Sequence, residues 1–159
     1  MAYRIMYEDH TVCWVNNVLA SQYGEHIRNV DVKEDADNGK IVSLGDWIEL
    51  DRYEEADYSG DFEGKIRGQS PRGHWYIEVT KPEDAWLIYQ DPIIEAEFNK
   101  RIKQESNFFH EKGSTVRAYK LSKHDIIEIS ELGFDGTPEK DKTVTVSTGA
   151  NQGKFKVGA

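Results

Sequence analysis

The chain has 159 residues, 38% hydrophobic, 31% charged and 11% aromatic, with a formal net charge of −9. That length suits one domain or a small domain with extensions, and the aromatic content argues against a disordered chain. No apolar run reaches the roughly 18 residues of a membrane span, no signal peptide is legible at the N-terminus, and the single cysteine, Cys13, excludes an internal disulfide and fits a reducing cytoplasm.

Residues 1–26 carry an apolar cluster of Val12, Cys13, Trp14, Val15, Val18 and Leu19, interrupted by Asn16-Asn17. So short a run is compatible with a helix, a buried strand or an apolar arm that needs a neighbour for burial. The reading taken is an extended N-terminal arm over 1–26, with a first core strand as its alternative. Residues 31–63 hold twelve carboxylates against three basic groups, a balance of −9, so the whole net charge lies there. Such a segment repels a phosphate backbone and disfavours nucleic-acid binding. It reads as a solvated acidic surface, or more sharply as a patch for a basic partner or a cation. Asn38-Gly39 is a strong hairpin signal between Ile27–Val32 and Ile41–Leu44. The acidic turn around it fails the calcium-loop pattern, since Lys40 and Asp46 stand where Gly and Glu are needed.

WIELDRY after Gly45 reads as a short strand. Residues 54–74, with Gly60, Gly64, Gly68, Gly73 and Pro71, read as a loop or exposed hairpin. HWYIEV and AWLIY are strands by aromatic and β-branched content, with a turn at Lys81–Asp84. Ile94, Phe98 and Ile102 recur every four residues and predict one short helix after Pro92. The alternative is that the AWLIY strand extends to Phe98 and only NKRIKQESNFF is helical; Gly113 ends the element in either case. From Thr115 to Val146, three strand-like runs alternate with Gly/Pro turns. Ile127 and Ile129 share one face and Ile126 and Glu128 the other; Val144 and Val146 oppose Thr143, Thr145 and Ser147. Phe155 and Val157 close the chain as a last strand. The fold class expected is mainly β (α+β): a small antiparallel β-barrel or sandwich with one short helix and an extended N-terminal arm. Its domains are the arm, 1–26, and a β-rich unit, 27–159, with an acidic loop region at 31–63.

Catalytic signatures are sparse. His10, His26, His74, His110 and His124 include no pair at i, i+4 spacing, and no cysteine pair, nucleophile elbow, dinucleotide fingerprint or Walker sequence occurs. Carboxylate pairs among Asp46, Glu49, Asp51, Glu54 and Glu55 are too numerous to single out an acid and base. Trp47, Tyr53, Tyr58, Trp75, Tyr76 and Trp86 offer a sugar-stacking platform, although strand aromatics more often serve the core or an interface. No catalytic residue, cofactor site or metal site is assigned.

Four motifs in order, NGKIVSLG, AWLIYQDPIIEAEF, KGSTVRAYKLSKHDIIEIS and GTPEKDKTVTV, resemble the head decoration (cement or auxiliary capsid) proteins of tailed bacteriophages. The matching positions are Asn38, Gly39, Leu44, Gly45, Trp86, Leu87, Pro92, Phe98, Gly113, Arg117, Tyr119, Leu121, Asp125, Ile129, Pro138 and Val144, within about residues 38–158. Two positions depart: His124 and Asp141 stand where the family commonly has glycine. Residues 1–26 and 54–74 match poorly, so roles given to them do not come from the resemblance. The resemblance implies a non-enzymatic structural virion protein, assembled in the host cytoplasm, that binds the major capsid protein and self-associates on the capsid, without contact to nucleic acid or membrane. The interface is expected to draw on Trp14, Val15, Val18 and Leu19 of the arm and on Trp47, Arg117 and Tyr119. The rival expectation is a carbohydrate- or host-surface-binding β module.

Overall fold

Short runs of β-branched and aromatic residues, broken by Gly, Pro and Asx turns, leave the chain few options besides strands. The computed structural model describes residues 11–18, 27–48, 53–57, 62–83, 85–90, 109–148 and 151–158. In them lie β1 (Cys13–Asn17), β2 (Ile27–Asp31), β3 (Ile41–Ile48), β4 (Tyr53–Asp57), β5 (Glu63–Gln69) and β6 (Trp75–Lys81). There follow β7 (Trp86–Ile88), β8 (Thr115–Lys120), β9 (Ile126–Ile129), β10 (Phe134–Asp135), β11 (Thr143–Val146) and β12 (Phe155–Val157). A 3-10 turn at Glu131–Gly133 precedes β10. The fold is mainly β, as expected. The helix expected after Pro92 lies outside the described residues.

The strands form two units. One is a seven-stranded sheet in the order β1-β9-β6-β5-β11-β12-β10; the other is a closed five-stranded barrel, β2-β4-β3-β7-β8. Pairing is antiparallel except at β2–β4 and β10–β12. The chain passes from sheet to barrel at Pro82-Glu83, between β6 and β7, and returns between β8 and β9. The Thr115–Val146 stretch therefore serves both units, with β8 in the barrel and β9 to β11 in the sheet.

Two apolar clusters match this division. Val30, Val32, Ala36, Val42, Ile88, Val116 and Ala118 fill the barrel. The larger cluster lies between barrel and sheet: Ile41, Leu87, Tyr119 and Leu121 from the barrel side meet Ile66, Ile77, Val79, Ile127, Ile129, Val144 and Phe155. Neighbours such as Ile41 and Val42, or Leu87 and Ile88, point into different clusters, so the start of β3 and the end of β7 are buried on both faces. That is why these segments read as continuous apolar runs rather than alternating ones. Each large apolar side chain that is fully buried contributes about 1.5–3 kcal/mol.

Three expectations are corrected. Residues 13–18 are not part of a free arm. β1 pairs with β9, Cys13 with Ile129 and Trp14 with Glu128, and Cys13, Val15 and Val18 are buried. Alternation across β1 lets the apolar face join the intramolecular core, so no neighbouring molecule is required. Thr11 and Val12 are tied down as well, their backbone N–H groups donating to Asp37 and to Ser130 Oγ, and residues 1–10 and 19–26 of the expected arm lie outside the described residues. Second, 54–74 is not a loop throughout: its described residues hold β4 and β5, and β5 forms an antiparallel hairpin with β6 closed at Ser70–Gly73, in line with the hairpin alternative. β5 is an interior strand between β6 and β11, and its glycines are strand positions: a Cβ on Gly64 would come within 2.9 Å of Ile77 Cγ2. Likewise β3 and β4 run through the acidic segment 31–63, so its described residues are not a loop throughout.

Third, β2 and β3 do not pair across Asn38-Gly39; β4 separates them in the barrel. Only Gly39 of the two has positive φ, 91°, so the turn is not the type I′ kind. The competing interaction is tertiary. Residues 32–36 cross to 110–114, with Ala36 N donating to His110 O at 2.9 Å and His110 N to Ala36 O at 2.7 Å. Asn38, 3% exposed, accepts from Gln90 N at 3.0 Å and donates to Gln90 O at 2.9 Å. Because Gln90 fixes which end of the Asn38 amide is oxygen, His110 Nε2, 2.7 Å from Asn38 Oδ1, carries the proton and donates. A Cβ on Gly39 would sit 2.7 Å from Ile129 Cδ1, so the turn is wedged against the sheet's core. Asn38-Gly39 is thus the joint between barrel and sheet.

Candidate functional site

The outer face of the seven-stranded sheet carries the side chains that strand alternation turns away from the core. Inward Cys13 and Val15 leave Trp14 outward; inward Ile127 and Ile129 leave Ile126 and Glu128; inward Ile77 and Val79 leave Tyr76 and Glu78. Register aligns them. Glu128 is paired with both Trp14 and Tyr76, so these three form one row across β1, β9 and β6. Asn17, Ile126, Glu78 and Lys65 form the next row.

The β5–β6 turn closes one end. Ser70, 6% exposed, accepts at Oγ from Arg72 N at 3.3 Å and His74 N at 3.1 Å, and Gly73 turns the chain with φ 81°. That fixed turn sets the Arg72 guanidinium 4.4 Å from the Trp14 ring centroid, while the His74 ring meets Trp14 edge-on at 5.2 Å. The result is a groove of about 440 Å³ lined by Trp14, Asn17, Pro71, Arg72, Tyr76, Ile126 and Glu128. It combines an aromatic pair, an aliphatic floor and one charge of each sign.

Electrostatics beside the groove are local. Glu78 accepts from Arg67 and faces His124 Nδ1 at 3.2 Å; the His124 and Arg67 hydrogen bonds hold its carboxyl below the usual value. Under the groove, burial and then the nearby Glu128 carboxylate push the Cys13 thiol far above its ordinary range. A thiol so held is a packing group and not a nucleophile.

The acidic segment is tied into the fold. Asp31 accepts from Thr115 Oγ1 at 2.8 Å, Asp35 from Lys112 N at 2.8 Å, Asp37 from Thr11 N at 3.1 Å and Glu34 from Gln152 Nε2 at 3.2 Å. These four carboxylates act as tethers between separated segments. The side chains of 45–61 lie outside the described set. Among the described residues, no group of three or more His, Cys, Asp or Glu is placed to hold a metal ion.

The expected interface residues are dispersed. Val15, Val18 and Tyr119 are buried in the larger core. Trp14 lies in the groove, and Arg117 is exposed on β8, on the barrel. Leu19 and the Trp47 side chain fall outside the described residues. The aromatic platform is not assembled either. Trp75 packs inward, Trp86 lies on the barrel with Lys120 Nζ 5.7 Å from its ring, and only Tyr76 reaches the groove. Tyr58 and the Trp47 and Tyr53 side chains are outside the described set. Sequence reading missed Asn17, Arg72, Ile126 and Glu128 as groove residues. The outward phase of Ile126 and Glu128 was visible; their pairing to β1, more than a hundred residues away, had no local signal. No family model, curated protein or solved structure matches the chain.

Proposed function

We propose that this chain is a non-enzymatic structural protein of a tailed-phage virion that binds the major capsid protein on the head shell and associates there with copies of itself. The observation that carries the reading is in the backbone. Among the described residues, only two non-glycine residues have positive φ, His124 at 78° and Asp141 at 67°. They are the two positions at which the chain departs from the decoration-protein pattern, and there the family commonly has glycine. Glycine is the residue such backbone favours, so the sequence differs from the family where the conformation still suits the family's residue.

Other matched positions support the same reading through their work in the fold. Gly39 and Gly113 have positive φ. Asp125 closes the turn before β9 by accepting from Ser122 N at 2.8 Å. Leu121, Ile129 and Val144 are fully buried or nearly so. Attachment to a shell sums modest contacts through avidity, which suits a β frame that offers strand edges and faces rather than a single deep anchor. Purified chain mixed with heads lacking it should co-sediment at a fixed ratio to major capsid protein and raise the temperature at which heads rupture. Absence of the chain from purified virions, or no co-sedimentation at micromolar concentration, overturns the proposal.

A further inference from the structure

The groove between β1, β9, β6 and the β5–β6 turn holds polar groups whose hydrogen-bonding capacity the fold does not use. Glu128, Asn17 and the Tyr76 hydroxyl make no side-chain hydrogen bond among the described residues, and the Arg72 guanidinium makes only its ring contact with Trp14. By contrast, Glu78 in the next row takes both Arg67 and His124. We infer that this groove is a binding site for a neutral glycan, a site independent of any attachment to a capsid.

Its geometry fits one class of ligand. Trp14 and Tyr76 flank Glu128 at one strand spacing each, so their backbones are about 9–10 Å apart. That leaves a slot floored by Ile126 and Glu128, with Trp14 and Arg72 on one side and Tyr76 on the other. About 440 Å³ is in the range of small-ligand sites and holds one or two pyranose rings. The apolar C–H face of a sugar packs on an aromatic ring. Its hydroxyls both donate and accept, which matches an acceptor-only carboxylate, a donor-only guanidinium and an amide that does both.

Other ligand classes leave a group unmatched. An anion meets Glu128, and a cation meets Arg72. An apolar peptide desolvates the carboxylate without pairing it, which is strongly unfavourable. The single charge of each sign therefore selects a partner without net charge, and the aromatic pair favours the C–H faces of a hydroxyl-rich sugar over a compact zwitterion.

The purified full chain should be titrated with neutral oligosaccharides of glucose, galactose, mannose and N-acetylglucosamine, and with sialylated and uronic-acid oligosaccharides. Tryptophan fluorescence and saturation-transfer NMR provide the readouts. At least one neutral oligosaccharide should give a saturable response. Tyr76→Ala and Glu128→Ala should each weaken it about tenfold or more with the thermal midpoint unchanged, and Trp14→Phe should remove most of the fluorescence response. Glu128→Gln, which keeps the shape, serves if Tyr76→Ala unfolds, and should also weaken binding. No saturable response to any neutral sugar, a response to anionic sugars alone, or binding unchanged by the Tyr76 and Glu128 substitutions overturns the inference.

Discussion

Asp141 and His124 show how a single backbone angle separates side chains that sequence patterns treat alike. Both sit in turns that open strands of the sheet, and both hold left-handed φ. An L-residue there costs roughly 1 kcal/mol relative to its ordinary conformation, less for Asp, whose short polar side chain tolerates it. What Asp141 gains in return is an exposed contact with Lys65 at 3.7 Å, a kind of pair that contributes little. Asp141→Gly is therefore expected to stabilise the protein by about 0.5–1 kcal/mol, and Asp141→Val to destabilise it by a similar amount or more. Thermal unfolding checks both, at about 2–4 °C per kcal/mol for a chain of this size. His124→Gly has a second readout. The His124 hydrogen bond is the first cause of the lowered Glu78 carboxyl, so its removal should move that carboxyl back toward its ordinary value in an NMR titration. The sign follows from linkage. A carboxyl lowered by folding adds stability above its unfolded value and loses it as pH falls through its folded one. His124→Gly should thus lose less stability than the wild type on acidification below about pH 4.5.

At the scale of elements, β5 is where composition misleads. Four glycines between residues 60 and 73 have the look of a loop. Yet Gly64 is a strand position with no room for a side chain: an added Cβ would lie 2.9 Å from Ile77 Cγ2, 3.0 Å from the Glu78 carbonyl oxygen and 3.1 Å from Phe62 Cζ. The carbonyl belongs to the neighbouring strand and cannot retreat without disturbing the β5–β6 ladder. Gly64→Ala should thus lower stability by about 1–3 kcal/mol through overpacking, seen as a fall in thermal midpoint, and an unchanged midpoint would refute this account of the strand. The same contrast explains what could be read beforehand. β6, β8, β9 and β11 announce themselves because β-branched residues alternate with polar ones over each strand's own length. β5 hides because its glycines answer to neighbours in space. β1 gave an ambiguous signal because its partner, β9, is remote in sequence. For the groove, Ile126 and Glu128 were correctly phased outward, but nothing local to Arg72 foretold that Ser70 would set it over Trp14.

For the whole molecule, stability depends on how barrel and sheet are joined, and that joint contains one titratable switch. Burial holds the His110 imidazole at about 4, against an ordinary value of 6.5, with the Asp37 carboxylate opposing the shift. Lys40, on the same turn, is itself held below its ordinary range by burial, with Asp37 opposing that shift too. His110 Nε2–H donates to Asn38 Oδ1, whose amide in turn holds both backbone groups of Gln90. For a histidine lowered by folding, the unfolded chain binds the proton more readily. Its contribution is complete above the unfolded value and is lost as pH falls from 6.5 towards 4. The loss between about pH 7 and pH 5 amounts to at most roughly 2 kcal/mol. Carboxylates titrate mainly below that interval, and comparison with His110→Gln separates the His110 share from that of the other four histidines. Urea midpoints at pH 7, 6 and 5 should fall steadily in the wild type. His110→Gln retains a donor for Asn38 but does not titrate; it should start less stable at pH 7 and then stay nearly flat. Equal slopes in the two proteins would remove His110 as the source of acid sensitivity. Asn38→Ala separates the hydrogen bonds from the proton: it removes the Asn38 bonds to both backbone groups of Gln90 and to His110 Nε2 and should cost about 2–4 kcal/mol at pH 7. The proton penalty comes from burial of the imidazole, so if that variant keeps His110 buried, its midpoint should still fall with pH.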